Sequence, residues 1–183
     1  MRIRKMSKAL LIIDMQNFVI ERIESGINYF PLNSIDNMEK LLNRFRHHQY
    51  PILHVRHQTV EEGSALHPSS SYCFPMTAFT EQANEPVFIK HTSSAFASTS
   101  LKDYIDHADI SELIVIGAVA GYCVNSTVRM GADLGIKMTV VSDAVISFDI
   151  ANANLLAEDI LKVTIGLLDT EFAKIVNLTE LTF

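Results

Sequence analysis

Short apolar runs alternate with amphipathic stretches along this chain. The run at 113–116, Leu-Ile-Val-Ile, is bounded by Gly117 and is typical of a strand buried on both faces. Beyond it, apolar residues recur at helical spacing over 124–132, and Gly135 is a typical helix end. Cys123 therefore lies at a predicted strand-to-helix junction.

The same reading of the whole chain predicts a layered α/β protein. Strands are predicted over 8–13, 51–55, 87–89, 113–116, 138–141 and 173–176, and helices over 35–45, 98–105, 124–135 and 150–168. Strands that alternate with helices, without an internal repeat, favour a doubly wound, mostly parallel six-stranded sheet in a three-layer α/β/α fold. Residues 58–86 show little periodicity, and we expect a substrate lid or an oligomer contact there.

Three polar side chains follow or end predicted strands. Asp14 ends the first strand, Lys90 ends the third, and Cys123 follows the fourth. Because sites in open α/β sheets lie at the carboxyl ends of the strands, we expect these side chains to meet. A carboxylate that accepts and returns a proton, an ammonium and a thiol together form a nucleophilic device. The helix start would also lower the pKa of the Cys123 thiol.

Each of these residues also has an ordinary structural explanation. Cys123 could fill the top of the core as a small apolar residue, because free cysteine is among the most buried residue types. Asp14 and Lys90 could form a salt bridge at a strand edge with no catalytic role. The proximity of all three is what would favour chemistry over packing.

Composition narrows the class of protein. The chain has 183 residues, 48% of them hydrophobic, which suits one domain over 1–183. A net charge of -6 disfavours nucleic acid as a partner, and no apolar stretch is long enough to span a membrane. Arg2, Arg4 and Lys5 precede an apolar run that is too short for a signal peptide, so we expect a cytoplasmic protein. Cys73 is expected to be a loop or pocket thiol.

Three ordered motifs resemble one family. They are LLIIDMQNF around Asp14, K-x-x-x-S-A-F from Lys90 to Phe96, and GAVAGYCVNSTVRMGADLG around Cys123. Together they resemble the isochorismatase-like cysteine hydrolases, which include isochorismatases, nicotinamidases, N-carbamoylsarcosine amidases and ureido-type amidohydrolases. The resemblance extends to TVVSDA at 139–144 and to 171–181. It implies that Cys123 is the nucleophile, Asp14 the general base and acid, and Lys90 the third member of a triad.

The resemblance also implies how the site works. It places a non-proline cis peptide between Ala118 and Val119, with the N–H groups of Val119 and Cys123 facing the oxyanion. It implies cleavage of an amide or ureido-type C–N bond in a small molecule through a thioester, without a cofactor. Members commonly assemble as homodimers or homotetramers.

One departure from the family bears on the substrate. Nicotinamidases carry an Asp-x-His metal motif after the second strand, whereas residues 54–58 here read HVRHQ without an aspartate, so no metal is predicted. Arg56 and His57 are candidates for holding a polar or anionic part of the substrate, with a surface ion pair as the alternative for Arg56. Aromatic residues close to the triad in sequence are candidates for the pocket wall, with core packing as the alternative: Phe18, Phe96 and Tyr122.

Other functions stay open at this point. Isochorismatases cleave a vinyl ether, and some of that branch lack the nucleophile, so Cys123 favours amide chemistry. A member of the family could also bind a small molecule without catalysis. A nucleotide-binding Rossmann domain is disfavoured, because no G-x-G-x-x-G follows the first strand.

Overall fold

A buried central strand positions the other elements. The computed structural model describes residues 7–182, and in it β1, Ser7–Ile13, pairs in parallel with a strand on each side. Its residues from Ala9 to Ile13 are almost completely buried, as expected of a continuous apolar run in a parallel sheet. The basic residues Arg2, Arg4 and Lys5 lie outside the described residues.

Seven strands and five α-helices make up the described chain. The strands are β1 Ser7–Ile13, β2 Tyr29–Phe30, β3 Ile52–His57, β4 Val87–Lys90, β5 Ile110–Ala118, β6 Lys137–Phe148 and β7 Lys174–Val176. The helices are α1 Phe18–Glu24, α2 Ser34–His47, α3 Leu101–His107, α4 Asn125–Asp133 and α5 Ala157–Glu171. Within residues 7–182, no helix is long and apolar enough to cross a membrane.

The sheet has the doubly wound topology. Its parallel strands lie in the order β4-β3-β1-β5-β6-β7, and β2 pairs with the end of β6 in the antiparallel sense. One apolar cluster covers the face that carries α3, α4 and α5, and a second covers the face that carries α1 and α2. After β1 the chain forms β3 and β4 on one side of it, and then returns to form β5, β6 and β7 on the other side. The switch point therefore lies between β1 and β5.

The predicted fold class is confirmed, but several element bounds were wrong. The sheet has seven strands rather than six. The additional strand, β2, was missed because its two residues are too few to show a period. β6 runs 12 residues to Phe148 instead of ending at 141, and α1 occupies a segment that was expected to be a loop. α5 begins at Ala157, whose N–H donates to the Asp149 carboxylate at 2.7 Å, rather than at 150.

Gly117 allows β1 and β5 to meet closely at the switch point. Its φ is +127°, a region that side chains disfavour, and a Cβ there would lie 2.1 Å from the carbonyl oxygen of Ile13. Only glycine fits without moving β1. The residue that follows Ile13 is Asp14, so this contact fixes the distance between Asp14 and the turn that carries Cys123.

The long segment 58–86 is fastened to the sheet over its second half. The N–H groups of Asn17 and Met76 donate to the carbonyl groups of Phe74 and Met15 at 2.8 and 3.0 Å. Met76 and Phe79 are buried in the core cluster beside α1 and α2. This half of the segment is therefore part of the packed fold, and a hinged lid would have to be formed by residues before it.

Candidate active site

Asp14 leaves β1 in an unusual backbone conformation. Its φ is +52°, which is the left-handed region that aspartate tolerates better than most residues. Its N–H still donates to the carbonyl of Val55 at 2.9 Å, so the last ladder bond with β3 is kept while the chain turns. The carboxylate is almost fully buried at the carboxyl end of β1.

Lys90 reaches the same point from the opposite side of β3. It ends β4 and pairs in register with His57, so β3 separates it from β1. A four-carbon stem is long enough to carry the ammonium across one strand. The side chain is 0% exposed, and a buried ammonium needs charged or polar partners.

Cys123 lies on a π-helical turn between β5 and α4. The turn spans Ala120–Val124, and the N–H groups of Tyr122 and Val124 both donate to the carbonyl of Val119, at 3.0 and 3.4 Å. The peptide bond between Ala118 and Val119 is cis. The turn presents the half-buried Cys123 side chain to the switch point, and such π turns often occur at functional sites.

The structure brings these three side chains together around one nitrogen atom. Lys90 Nζ lies 2.8 Å from Asp14 Oδ2 and 3.1 Å from Cys123 Sγ. It also lies 2.8 Å from His57 Nδ1. Asp14 Oδ1 has no hydrogen-bond partner among the described residues, although it is buried. One carboxylate oxygen is thus held by the ammonium, and the other is available for a proton or a substrate.

Burial keeps the proton on the thiol, contrary to the sequence-based expectation. Burial and then the charge of Asp14 raise the pKa of Cys123 to about 12, and Lys90 only partly offsets them. Burial also raises the pKa of Asp14, against the lowering effect of Lys90. The expected low thiol pKa was wrong because it considered the helix start but neither the burial of the sulfur nor the neighbouring carboxylate. Asp14 and Cys123 are two acids that share one cation and compete for its charge.

His57 contacts the cluster as a neutral base. Burial, followed by the charge of Lys90, lowers the pKa of His57 to about 4, so the imidazole is uncharged at neutral pH. An ammonium that donates to Nδ1 fixes the ring proton on Nε2. His57 was predicted to hold the substrate, and its position in the cluster leaves Nε2–H as the donor for such a role.

Arg56 does not join the cluster. Side chains alternate along β3, so Arg56 and His57 point to opposite faces of the sheet. The Arg56 guanidinium forms an ion pair with Glu81 in the long segment. On that same face, His54 Nε2 lies 2.9 Å from Glu85 Oε2. The ion pair that was the alternative for Arg56 is therefore present, and alternation along β3 places Arg56 on the opposite face from His57.

The three predicted aromatic wall residues have different surroundings. Phe18 begins α1 and is 7% exposed in the core cluster beside α1 and α2. Phe96 is equally buried, and its ring lies 3.0 Å from the position that a Cβ on Gly131 would occupy. Gly131 is about two helical turns beyond Cys123, so Phe96 packs against the middle of α4, in the same core cluster that Cys123 contacts. Tyr122 is 53% exposed beside Cys123 and lies at the surface of the site.

Gln16 is not among the site residues predicted from the sequence, yet its hydrogen bonds organise the edge of the site. Its amide accepts from the N–H of His57 at 2.9 Å and donates to the carbonyl of His57 at 3.0 Å. The same Nε2 donates to the carbonyl of Cys73 at 2.7 Å. Gln16 therefore extends the β1–β3 ladder after β1 has turned away. The only signal in the sequence was its position two residues after Asp14.

The cluster has metal-type ligand atoms but already holds a cation. Asp14, His57 and Cys123 each offer a ligand atom, and these atoms lie within 4.8 Å of one another. Lys90 Nζ lies within hydrogen-bonding distance of all three side chains. The ammonium group therefore occupies the position between these side chains that a metal ion would need.

A doubly wound α/β fold with a thiol, a carboxylate and an ammonium at its switch point is an arrangement suited to a hydrolase that uses a cysteine nucleophile. A family model described as the isochorismatase domain matches residues 8–171. The chain belongs to the isochorismatase family and is a hydrolase of that family. It is 26% identical over 178 residues to the uncharacterized isochorismatase family protein YrdC of Bacillus subtilis, covering 95% of this chain and 94% of the relative.

Structural comparison agrees with the family model. An isochorismatase from Pseudomonas putida superposes with a TM-score of 0.85 at 25% identity, over 96% of this chain and 90% of that one. Among relatives with a named activity, a nicotinamidase of Escherichia coli is 35% identical over 88 residues, which cover 45% of this chain and 40% of that enzyme. A streptothricin hydrolase of Streptomyces noursei is 27% identical over 80% of this chain and 52% of that enzyme.

Proposed function

We propose that this protein is a cysteine hydrolase that cleaves an amide or ureido-type C–N bond of a small molecule through a thioester on Cys123. The observation that carries the proposal is the contact of one buried ammonium, Lys90, with both the Asp14 carboxylate and the Cys123 sulfur. A salt bridge alone would not need a half-buried thiol within reach. No cofactor takes part in the proposed reaction.

Acylation begins with transfer of the thiol proton to Asp14. Because the pKa of Cys123 is about 12, the sulfur attacks the substrate carbonyl as the proton moves, rather than as a preformed thiolate. Asp14 Oδ1 takes the proton, since Oδ2 is held by Lys90. The new C–S bond converts the carbonyl oxygen into an oxyanion.

The turn before the nucleophile receives this oxyanion. We assign to it the N–H group of Val119, which directly precedes the π turn, and that of Cys123, which lies within the turn. Within residues 7–182 the Val119 N–H donates to no backbone carbonyl. When the C–N bond breaks, the protonated Asp14 gives its proton to the leaving nitrogen, and the acyl group remains on sulfur as a thioester.

Deacylation reverses the role of the carboxylate. Asp14 removes a proton from water, the resulting hydroxide attacks the thioester carbonyl, and the acid product leaves as the C–S bond breaks. The proton then returns from Asp14 to Cys123, which restores the starting state. Lys90 keeps the carboxylate and the sulfur at fixed positions in both halves of the reaction.

Relatives support amide chemistry. The name of the nicotinamidase denotes hydrolysis of an amide, and that enzyme and the streptothricin hydrolase are both similar to this chain in sequence. Cleavage of a vinyl ether is the second candidate, favoured by the description of the matched family model. Cleavage of a vinyl ether would not require a thiol beside a carboxylate. Binding without catalysis would require neither the thiol nor the carboxylate.

We also propose that the protein forms a homodimer or homotetramer. Apolar side chains at Leu156, Val163 and Leu167 are 52–61% exposed on and just before α5, at a spacing that places them on one face of the helix, and such exposed apolar faces mark interaction sites. Sedimentation equilibrium of the wild type and of Val163→Glu tests this. A monomeric wild type would overturn it.

The function is tested by an ammonia-release screen over primary amides, ureido acids and nicotinamide. The wild type should release ammonia from at least one of them, and Cys123→Ala should be inactive on every hit. Cys73→Ala is the matched control, because Cys73 is buried within the long segment, where its thiol donates to the carbonyl of Leu66, and it should keep activity. Equal activity of Cys123→Ala and the wild type would overturn the proposal.

A further inference from the structure

Lys90 has a full set of hydrogen-bond acceptors, and only two of them belong to the proposed triad. An ammonium has three N–H donors, and Lys90 Nζ has three partners, at 2.8 Å (Asp14), 2.8 Å (His57) and 3.1 Å (Cys123). Its side chain is 0% exposed. If the His57 acceptor were removed, one charged donor would remain unsatisfied in a buried site, which is a costly arrangement.

His57 is itself held in place from behind. Gln16, which is 0% exposed, bonds to both the N–H and the carbonyl of His57, and it is anchored in turn to the carbonyl of Cys73. The backbone of His57 is thus fixed beyond the end of the β1–β3 ladder. Its Nδ1 therefore has a fixed location relative to the Lys90 ammonium.

We propose that His57 is a positioning residue, whose Nδ1 and the Gln16 clamp behind it hold the Lys90 ammonium against Asp14 and Cys123. His57 acts through Lys90 and needs no contact with the substrate for this role. The proposal goes beyond the assignment of His57 to substrate binding. Its place in catalysis rests on the proposed function, but its effect on the sulfur can be measured without any substrate.

Two variants distinguish the role of Nδ1 from that of Nε2 in the imidazole of His57. In His57→Asn the amide oxygen lies one bond beyond Cγ, where Nδ1 lies in histidine, so it can accept from Lys90. In His57→Gln the amide lies one carbon further out, close to the Nε2 position. Both variants keep a polar side chain, so they differ mainly in where the acceptor is placed.

The experiment measures the rate at which iodoacetamide alkylates Cys123 at pH 8, followed by mass spectrometry of the Cys123 peptide. Without the Nδ1 acceptor, the Lys90 ammonium loses one of its three partners and is no longer held against the sulfur, so it stabilises the developing thiolate less. We expect alkylation to be about tenfold slower in His57→Gln and His57→Ala, the size of a hydrogen bond to a charged group. His57→Asn should stay within about threefold of the wild type on the same basis.

The control and the contrary results are specific. His107→Ala, at an exposed histidine on α3, should not change the rate. Equal rates in all His57 variants, or rescue by Gln and not by Asn, would overturn the positioning role, and the second result would assign His57 to an Nε2 contact. If His57→Ala fails to fold, the comparison of Asn with Gln still decides. Inactivity of every variant and the wild type in the ammonia screen would sink the proposed function and leave this measurement intact.

Discussion

The buried pair of Asp14 and Lys90 gives a quantitative prediction for stability. The two charged atoms are 2.8 Å apart and almost inaccessible to water. At an effective dielectric constant of about 20, their attraction is roughly 6 kcal/mol, and the desolvation of both ions offsets much of it. The intact pair therefore adds little net stability to the folded protein, but removing one of the two charges strongly destabilises it.

A double-mutant cycle isolates this interaction. Asp14→Asn should lower the free energy of unfolding by about 3–5 kcal/mol, because it leaves a buried ammonium without its counter-charge. Lys90→Met should cost a similar amount, since the carboxylate is then uncompensated. The double variant should be more stable than the sum of the two losses predicts, with a coupling of at least about 2 kcal/mol.

Urea denaturation followed by circular dichroism measures these values, since the chain has no tryptophan. The matched control is the pair Lys102 and Asp106 on α3, whose atoms are 2.6 Å apart but whose side chains are 33% and 58% exposed. That cycle should give a coupling below about 1 kcal/mol. Additive losses at Asp14 and Lys90, within about 0.5 kcal/mol, would refute the buried-pair reasoning.

Two further predictions concern the switch point and the thiol. Gly117→Ala should destabilise the protein by more than about 4 kcal/mol in the same assay, because its Cβ would lie 2.1 Å from a backbone oxygen at a φ of +127°. Gly166→Ala, with open space around its Cβ, should instead stabilise α5 by about 0.5–1 kcal/mol; equal effects of the two changes would contradict the close approach. Because burial and Asp14 raise the pKa of Cys123 to about 12, the thiolate fraction grows with pH, and the rate of Cys123 alkylation should still be rising at pH 9.5. A plateau by pH 8 would show a lowered pKa.

Much of the site could be predicted because its charged side chains lie at the carboxyl ends of strands. The apolar runs before Asp14 and Lys90 stop abruptly at those charged residues, and a parallel sheet brings such ends to one edge. The sequence also marked the glycine at which β5 approaches β1. The structure brings Asp14, Lys90 and Cys123 within hydrogen-bonding range, which spacing along the chain could only suggest.

What the sequence missed depends on contacts between distant segments. Burial at the switch point, and then the charge of Asp14 more than 100 residues earlier, raise the pKa of Cys123, so a local argument from the helix start gave the wrong sign. Arg56 and His57 point to opposite faces because β3 continues to His57 instead of ending at 55, and Arg56 is held by an ion pair with Glu81. Gln16 looked like an ordinary loop residue, because its partners belong to β3 and to the long segment.

The central claim is that an acyl group is carried by Cys123. Its most direct test uses an amide found in the screen and the matching N-methyl amide, each hydrolysed in the presence of hydroxylamine. A common thioester must partition between water and hydroxylamine in one ratio, so both substrates should give the same proportion of hydroxamate to acid. Proportions that differ between the two substrates, or hydrolysis without hydroxamate in a Cys123→Ala variant as active as the wild type, would contradict it.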